Sequence, residues 1–412
     1  MLRFRDATLV AALTFGLLSA TAIAGEAPRP RHAAKLVVVN DDGFSAFFSE
    51  RYRNADDLRR QVGSFGDTQV AVLEWCIASG SRVNFPAKGY ELIGAGVTEF
   101  PRRGDKIVAA LLQQFADEGT DTLAVVAAAC RETGIACYAS LRMNGDYNAE
   151  WMGETLPRMF NSTFWWSHPE YRVRGKAGED RTKLSYAFPE VREYKLGILR
   201  AAAERDIDGI NLDFLRHPDF LGYEQPLIDV FQSRHGIDPR TLPATDARWM
   251  KLRAEIMTGF VRDVRALLDA AGKKNGRRLG LSARVDWKAH RAWGCDVEAW
   301  MKEGLLDYAV FAQRSLGGYE FDLKPFVAMA RGTGCAVLFG EEAILTGNDL
   351  TAQEDKLVAA GKMKAPERAT LTLARYQERA ARWYAAGADG VHLFNENRRE
   401  VFRMVGDVPP AR

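Results

Sequence analysis

Short apolar runs alternate with longer amphipathic stretches along almost the whole chain. Eight runs have the apolar content of buried strands and lie at residues 35–40, 68–75, 135–142, 207–214, 278–286, 306–313, 335–342 and 388–397. The stretches between them repeat apolar residues every three or four positions, and several end in glycine just before the next run, which is typical of helices. The pattern therefore predicts eight strand–helix units.

Eight such units predict an α/β chain folded as a (β/α)₈ barrel, a single domain over residues 35–405. A doubly wound open sheet would alternate in the same way, but "VVVNDDGF" after the first run lacks that fold's glycine-rich phosphate loop. Residues 25–34 are expected to form a leader and residues 406–412 a tail. The longest connections follow strands 2, 3, 4 and 7, and therefore lie on the face where barrel enzymes build their sites.

The first residues have the features of a secretory signal. Arg3 and Arg5 precede an apolar run over residues 7–22, and Ala-Ile-Ala at 22–24 is typical of a cleavage site. A transmembrane anchor is the alternative, but the run is too short and contains threonine, serine and glycine. We therefore expect residues 1–24 to be removed, leaving a periplasmic or extracellular protein without a stable membrane anchor.

Composition narrows the possible partners. The 56 Lys and Arg residues nearly balance the 54 Asp and Glu, giving a net charge of +2, so no nucleic-acid or membrane-surface partner is expected. The five cysteines are scattered without a C-x-x-C motif, which favours buried free thiols over a zinc cluster, although Cys130 and Cys137 flank a short turn and could bridge. No motif indicates a metal, another cofactor or an oligomeric state.

Polar side chains collect where the strands end. If the apolar Ile210, Leu212 and Phe214 face the helices, Asn211 and Asp213 face the barrel interior. The same alternation turns Arg142, with Asn144 just beyond it, and Arg284 and Asp286 toward the cleft. The remaining strand ends and nearby loops supply Asn40, Asp41, Glu74, Trp75, Tyr186, Arg216, Gln313, Asn395 and Glu396. We expect these residues to bind substrate, together with Arg142, Asn144, Asn211, Arg284 and Asp286.

Carboxylates on opposite sides of a cleft suit glycoside hydrolysis, in which one protonates the leaving oxygen and the other attacks the sugar or activates water. Strands 4 and 7 lie across the barrel from each other, so we expect the catalytic pair to be Asp213 with Glu341 or Glu342. The alternation in strand 7 leaves both glutamates open. The same acids also have structural interpretations: Asp213 could form a salt bridge with Arg284 or Arg216.

Other barrel chemistries lack their characteristic residues. Metal-dependent amidohydrolases need several strand-end histidines, whereas this chain has six histidines in all and no H-x-H on strand 1. His217 is expected to be a loop residue or a substrate contact, and His392 a core residue. Neither G-x-S-x-G nor a phosphate-binding P-loop is present.

The segment "DIDGINLDFLRHP", followed by a helix and "LGLSARVD", resembles the family-10-like glycoside hydrolase barrels, exported bacterial proteins with D-G-I-x-x-D-[FY]-x-R-x-P at the fourth strand. The resemblance marks Asp208, Gly209, Asp213, Arg216 and Pro218, and implies a barrel acting on carbohydrate, with peptidoglycan glycan strands among the substrates of relatives. Retaining barrel hydrolases place Glu at this strand tip. The shorter Asp213 leaves both retaining and inverting outcomes open.

Three functions are compatible with these patterns. The leading hypothesis is an exported glycoside hydrolase that cleaves a polysaccharide or oligosaccharide, including cell-wall glycan. The second is a non-catalytic carbohydrate-binding barrel. The third is a metal-dependent lyase or hydrolase that uses Asp41, Asp42 and Asp213.

Overall fold

A computed structural model describes residues 33–409, apart from residues 101, 150–152, 154, 217, 314–320, 346–349 and 368. Eight parallel strands form its centre: β1 Leu36–Asp41, β2 Val70–Ser79, β3 Ala136–Arg142, β4 Gly209–Asp213, β5 Gly280–Asp286, β6 Tyr308–Ala312, β7 Ala336–Glu342 and β8 Gly390–Phe394. Each strand pairs with its successor, and β1 also pairs with β8. This closure confirms the predicted (β/α)₈ barrel over the open sheet.

The helices surround the barrel and enter its loops. They are α1 Ser45–Phe48, α2 Ala55–Gly63, α3 Arg103–Asp117, α4 Thr122–Thr133, α5 Thr155–Phe160, α6 Thr163–Ser167, α7 Pro189–Ala203, α8 Gln225–His235, α9 Ala247–Asn275, α10 Val297–Lys302, α11 Lys324–Ala330, α12 Ala352–Ala359, α13 Leu373–Ala385 and α14 Arg399–Phe402. A short strand at Arg82–Val83 and a hairpin of Arg172–Arg174 with Asp180–Leu184 add to the loops. Within the described part of the chain, each helix is too short or too polar to cross a membrane.

Helix ends follow the signals in the sequence. Asp121 accepts a hydrogen bond from the backbone N–H of Ala124 and so caps the start of α4. Gly134 ends that helix with φ of 74°, a conformation that costs glycine little, and Gly276 ends α9 in the same way. The glycines that precede predicted strands therefore do stop helices.

The inside of the barrel has an apolar lower part and a polar upper part. Its floor consists of Val38, Ala71, Val72, Ala136, Tyr138, Tyr308, Val310 and Leu338. Gly209 and Gly280 make room for the side chain of Tyr138, since a Cβ on Gly209 would lie 2.5 Å from a ring carbon and a Cβ on Gly280 would lie 1.9 Å from the phenolic oxygen. A larger apolar layer separates the barrel from the helices. The five cysteines are buried and free, as predicted.

Three aspartates fasten the lower rim, at the amino ends of the strands. Asp208 accepts a hydrogen bond from the backbone N–H of Cys137 at 2.8 Å. Asp307 and Asp389 accept equivalent bonds from Leu281 and Val337, at 2.7 and 2.8 Å. Each aspartate immediately precedes its own strand and bonds to the strand before it, so the three join β3 to β4, β5 to β6 and β7 to β8.

Candidate active site

The polar upper part of the barrel interior has two layers. The deeper layer, directly above the apolar floor, is a hydrogen-bond network. Glu74 accepts hydrogen bonds from Asn40 at 2.8 Å and Tyr308 at 2.8 Å, and its carboxylate lies 2.9 Å from His392 Nε2. The Ser140 hydroxyl lies between Asn40 and Asn211, and it donates to the Asn211 side chain. All of these groups are inaccessible to solvent or nearly so.

This network corrects the expectation that Glu74, Asn40 and Asn211 contact substrate, because they fill the barrel below its mouth. Burial alone would raise the pKa of Glu74, but His392 and the other donors hold that pKa below its usual value. His392 is a core residue, as predicted.

The mouth itself contains three pairs of acids and arginines. The strand register sets Arg142, Asp213 and Arg284 side by side on β3, β4 and β5. Arg284 Nη1 donates to Asp213 Oδ2 at 3.4 Å, and the two side chains are each 1% exposed. Arg142 lies 3.7 Å from Asp42, which follows β1. These charges neutralise one another within a region that water hardly reaches.

The third pair joins Arg216, in the loop after β4, to Glu342 at the end of β7. Arg216 Nη1 donates to Glu342 Oε1 at 3.2 Å, and Arg216 is the most exposed of the mouth arginines, with 32% of its side chain accessible. The guanidinium groups of Arg216 and Arg284 lie 5.0 and 4.4 Å from the centre of the Phe394 ring. Phe394 therefore connects the Asp213 pair to the Glu342 pair.

The structure decides between the two glutamates of β7. Ala336 and Leu338 line the barrel interior, so Glu342, on the same face, reaches the mouth. Glu341 faces the helices instead, where Arg379 on α13 donates to Glu341 Oε2 at 3.1 Å. Burial raises the pKa of Glu341 to about 7, although Arg379 opposes that shift. This placement corrects the expectation that Glu341 could be the second catalytic carboxylate.

Asp41 and Asp42 also face opposite sides of the barrel wall. Asp41 accepts from the Tyr52 hydroxyl at 3.1 Å on the helix side, and burial with the neighbouring Asp42 carboxylate raises the pKa of Asp41 to about 6. Asp42 instead faces the mouth, where Asn395 donates to its carboxylate at 3.0 Å. Burial would raise the pKa of Asp42, but Arg142 and hydrogen bonds from Ser45 hold it below its usual value. Asp41 is thus not a cleft residue.

Four further expected substrate contacts lie away from the mouth. Trp75 packs in the helix layer against Phe47, and the fully buried Tyr186 donates to the backbone oxygen of Met143 at 2.7 Å. Asn144 donates to two loop carbonyls. Glu396 is bound by Tyr376 and Arg398. Their closeness to strand ends in sequence reflects packing and loop anchoring, because each side chain points into the layer behind the barrel or into a loop.

The other predicted residues are at or next to the upper rim. Asp286 caps the turn after β5 by accepting from the backbone N–H groups of Lys288 and Ala289. Gln313 directly follows β6 and is partly exposed. Asn395, also partly exposed, positions Asp42. His217 lies outside the described residues, as do residues 1–32 with the expected signal sequence.

One residue of the mouth, Phe394, was missed by the sequence analysis, and Asp42 was named there only as a candidate metal ligand. Asp42 and Phe394 both follow from strict alternation, since Asn40 on β1 and His392 on β8 face inward and each lies two positions earlier. Within the described residues, no group of three or more His, Cys, Asp or Glu side chains is arranged to hold a metal ion. The metal hypothesis required Asp41 beside Asp42 and Asp213, and Asp41 faces the other way.

A family model described as "Glycosyl hydrolase-like 10" matches residues 104–314, just over half of the chain. The chain belongs to the glycosyl hydrolase-like 10 family. The matched region of this glycosyl hydrolase-like 10 protein spans β3 to β6 and includes Arg142, Asp213, Arg216 and Arg284. No curated protein sequence matches the chain significantly.

Solved structures with a similar fold include glycosidases. The catalytic domain of β-amylase from Paenibacillus polymyxa is 11% identical, with a TM-score of 0.51, covering 92% of this chain and 96% of its own. A glycoside hydrolase family 18 N-acetylglucosaminidase from Paenibacillus barengoltzii is 12% identical, with a TM-score of 0.42 and coverage of 90% and 98%. A family 18 chitinase from Chromobacterium violaceum is 12% identical, with a TM-score of 0.42 and coverage of 89% and 67%. The likeness to the β-amylase domain agrees with the closed barrel of this glycosyl hydrolase-like 10 protein.

Proposed function

We propose that the protein is a glycoside hydrolase whose catalytic carboxyl groups are Asp213 and Glu342. The observation that carries this proposal is the pair of acid–arginine contacts around Phe394 at the barrel mouth. Two carboxyl groups at the carboxyl ends of β4 and β7 suit acid and base or nucleophile roles on one glycosidic bond. Membership of a glycosyl hydrolase-like family supports the same reaction.

The two carboxyl groups have different surroundings, and we assign their roles from that difference. Asp213 is fixed by the backbone N–H of Leu215 at 3.1 Å and by Arg284, so it suits the carboxylate that attacks the sugar or activates water. Glu342 is held by Arg216, whose partly exposed side chain can move aside when substrate enters. Glu342 released from that arginine is the proton donor to the leaving oxygen.

The test is hydrolysis by Asp213→Asn and Glu342→Gln, measured as release of reducing ends from a panel of polysaccharides and of soluble fragments from peptidoglycan. Both variants should lose activity about 10²–10⁴-fold, the usual contribution of a general acid or base. On 2,4-dinitrophenyl glycosides, whose leaving group needs no proton, Glu342→Gln should recover most of its rate and Asp213→Asn should not.

Glu341→Gln is the matched control, since it makes the same chemical change one residue away on the opposite face of β7. It should retain wild-type turnover. Wild-type turnover by Asp213→Asn would overturn the proposal. If the wild-type chain hydrolyses none of these substrates yet binds carbohydrate, the protein is instead a non-catalytic carbohydrate-binding barrel.

We further propose that the protein is exported and that polysaccharide or cell-wall glycan is its substrate class. The charged start, apolar run and Ala-Ile-Ala at residues 22–24 support export. The mature chain should begin at Gly25 and appear in the periplasmic or culture fraction. N-terminal sequencing of protein recovered from those fractions checks this, and an intact Met1 start on cytoplasmic protein would contradict it.

A further inference from the structure

A cavity lies in the loops on the mouth side of the barrel. It has a volume of about 490 Å³, within the roughly 300–1,000 Å³ of small-molecule sites. Its walls come from the segment after β2, which supplies Arg82, Thr98 and Glu99, and from the segment after β3, which supplies Thr155, Arg158 and Trp166. Both segments leave the carboxyl ends of barrel strands, so the cavity belongs to the face that carries Asp213 and Glu342. It shares none of its lining residues with the mouth.

Trp166 is an unusual surface residue in this molecule. Its side chain is 46% exposed, the largest value among the exposed large apolar residues of the described chain. The neighbouring Trp165 is buried, packs edge-on against it at 4.8 Å, and donates its indole N–H to the backbone oxygen of Thr182 at 2.7 Å. Arg172 stacks on the Trp165 ring at 3.6 Å. Trp166 is therefore an exposed indole on a rigid base.

Glu91 fixes the two cavity walls relative to each other. Its carboxylate accepts from the backbone N–H and hydroxyl of Thr163, at 2.8 and 2.6 Å, at the start of the helix that carries Trp166. The same carboxylate lies 3.7 Å from Arg82. Arg82 also donates to the backbone oxygens of Asn161 and Ala95, at 3.1 and 2.7 Å, and so spans both segments. A cavity held this way is pre-formed, which lowers the entropy cost of binding.

The lining indicates the chemical class of the ligand. An exposed indole offers a flat apolar face, and the hydroxyls of Thr98 and Thr155 offer hydrogen bonds that donate or accept. The charges nearly cancel, since Arg82 is beside Glu91, and Arg158 and Glu99 both line the cavity. A flat apolar face beside hydroxyl groups and charges of opposite sign matches an uncharged pyranose ring, whose C–H face is apolar and whose edge carries hydroxyls.

We propose that this cavity is a second carbohydrate site, in which Trp166 stacks against an uncharged pyranose unit of a polysaccharide chain. The inference rests on the proposed function for its choice of polymer, because a chain held here would be retained on the face where the catalytic carboxyl groups lie. It goes beyond that function in assigning a binding role to a part of the molecule that does no chemistry.

Affinity electrophoresis of the chain from residue 25 onward tests the site. All proteins carry Asp213→Asn so that polymer is not consumed, and gels contain hydroxyethylcellulose, laminarin or glycol chitin, each alone. For at least one of the polymers that retard the parent, Trp166→Ala should bind about fivefold to tenfold more weakly. A loss of this size is expected when a central aromatic contact is removed. Trp166→Phe should recover part of that loss. Thermal melts check that each variant is folded.

Leu373→Ala is the matched control, since Leu373 is 39% exposed and does not line the cavity. It should bind as the parent does. Equal retardation of Trp166→Ala and the parent in every gel, or no retardation of the parent by any polymer, would overturn the inference. Hydrolysis by the wild-type chain is measured separately. Binding that depends on Trp166 without hydrolysis would refute only the proposed function, and hydrolysis without dependence on Trp166 would refute only the second site.

Discussion

Glu341 and Glu342 have the same chemistry and adjacent positions, but the alternation of a strand gives them opposite surroundings. Glu342 reaches the mouth and contacts a partly exposed arginine. Glu341 is sealed between the barrel and α13, where burial outweighs its contact with Arg379. Glu342 is therefore the glutamate placed for the proposed reaction, and Glu341 is a buried group that affects stability.

The raised pKa of Glu341 makes the stability of the fold depend on pH. Its pKa is about 7 in the folded chain and near the ordinary glutamate value of 4.5 when the chain is unfolded. Between those values the folded state holds more protons than the unfolded state, so stability falls as pH rises and is lowest above about pH 7. The shift corresponds to roughly 3 kcal/mol.

Glu341→Gln should remove this dependence. Relative to the wild type, its free energy of unfolding should rise by roughly 3 kcal/mol between pH 4.5 and pH 8. Urea unfolding at both pH values gives the quantity, and subtracting the wild-type curve cancels Asp41 and other titrating groups. A difference between the two proteins that does not change with pH would show that Glu341 does not titrate in this range.

At the scale of elements, the fourth-strand motif combines two functions at opposite ends of one strand. Asp208 lies below β4 and binds the backbone of β3 and Arg277, whereas Asp213 lies at the mouth. Gly209 between them leaves room for Tyr138 in the barrel floor. Of the motif residues that the resemblance marked, Asp208 and Gly209 thus stabilise the barrel, and Asp213 and Arg216 form the candidate site.

Asp208→Ala should therefore lower stability without affecting turnover. It removes acceptors for the N–H of Cys137 and for Arg277, a loss of about 1–3 kcal/mol in the free energy of unfolding. Denaturant unfolding and kcat on the best substrate measure the two effects. The control is Asp206→Ala, which removes an exposed carboxylate that also contacts Arg277 and should cost less than about 1 kcal/mol. Equal losses in the two variants would contradict a role for the strand-joining bond.

The strands and helices of this fold could largely be predicted from the sequence, but the orientation of the last strand residues could be predicted only in some strands. Apolar runs predicted all eight barrel strands because burial on both sides requires them. Alternation also placed Arg142, Asp213 and Arg284 correctly. It was not applied at the end of β1, where Asp41 turns outward and Asp42 faces the mouth. In β7 the sequence does not show which face is inward, because Ala336, Leu338 and Gly340 are compatible with either.

At the scale of the whole molecule, the layer behind the barrel explains the other corrections. Tyr186 and Trp75 are aromatic residues beside strand ends, which is equally typical of a sugar-binding cleft and of a helix–barrel interface. Only the packing of distant segments, such as Phe220 against Tyr186 and Tyr52 against Trp75, separates the two cases. A pattern of local residues carries no information about those partners, so the site could be predicted only where the strand itself fixed the direction.

The apolar layers around the barrel also shield the cysteine thiols from reagents in solution. All five cysteines are at most 6% exposed, and burial raises the pKa of Cys76 to about 11. Because the thiolate is the reactive form, the native chain should not react with Ellman's reagent, even when recovered from an oxidising compartment. Cys130 and Cys137 are the candidate pair for a disulfide, since a hydrogen bond between the two thiols raises the pKa of Cys137.

Thiol titration before and after denaturation in guanidinium chloride checks this expectation. Native protein should show no reactive thiol on the timescale of the assay, and denatured protein should show five, the full cysteine count. A count of three after denaturation would mean that one disulfide, with Cys130–Cys137 as the first candidate, forms in the cell. Partial reaction of native protein would mean that the layer around the barrel opens more readily than its close packing implies.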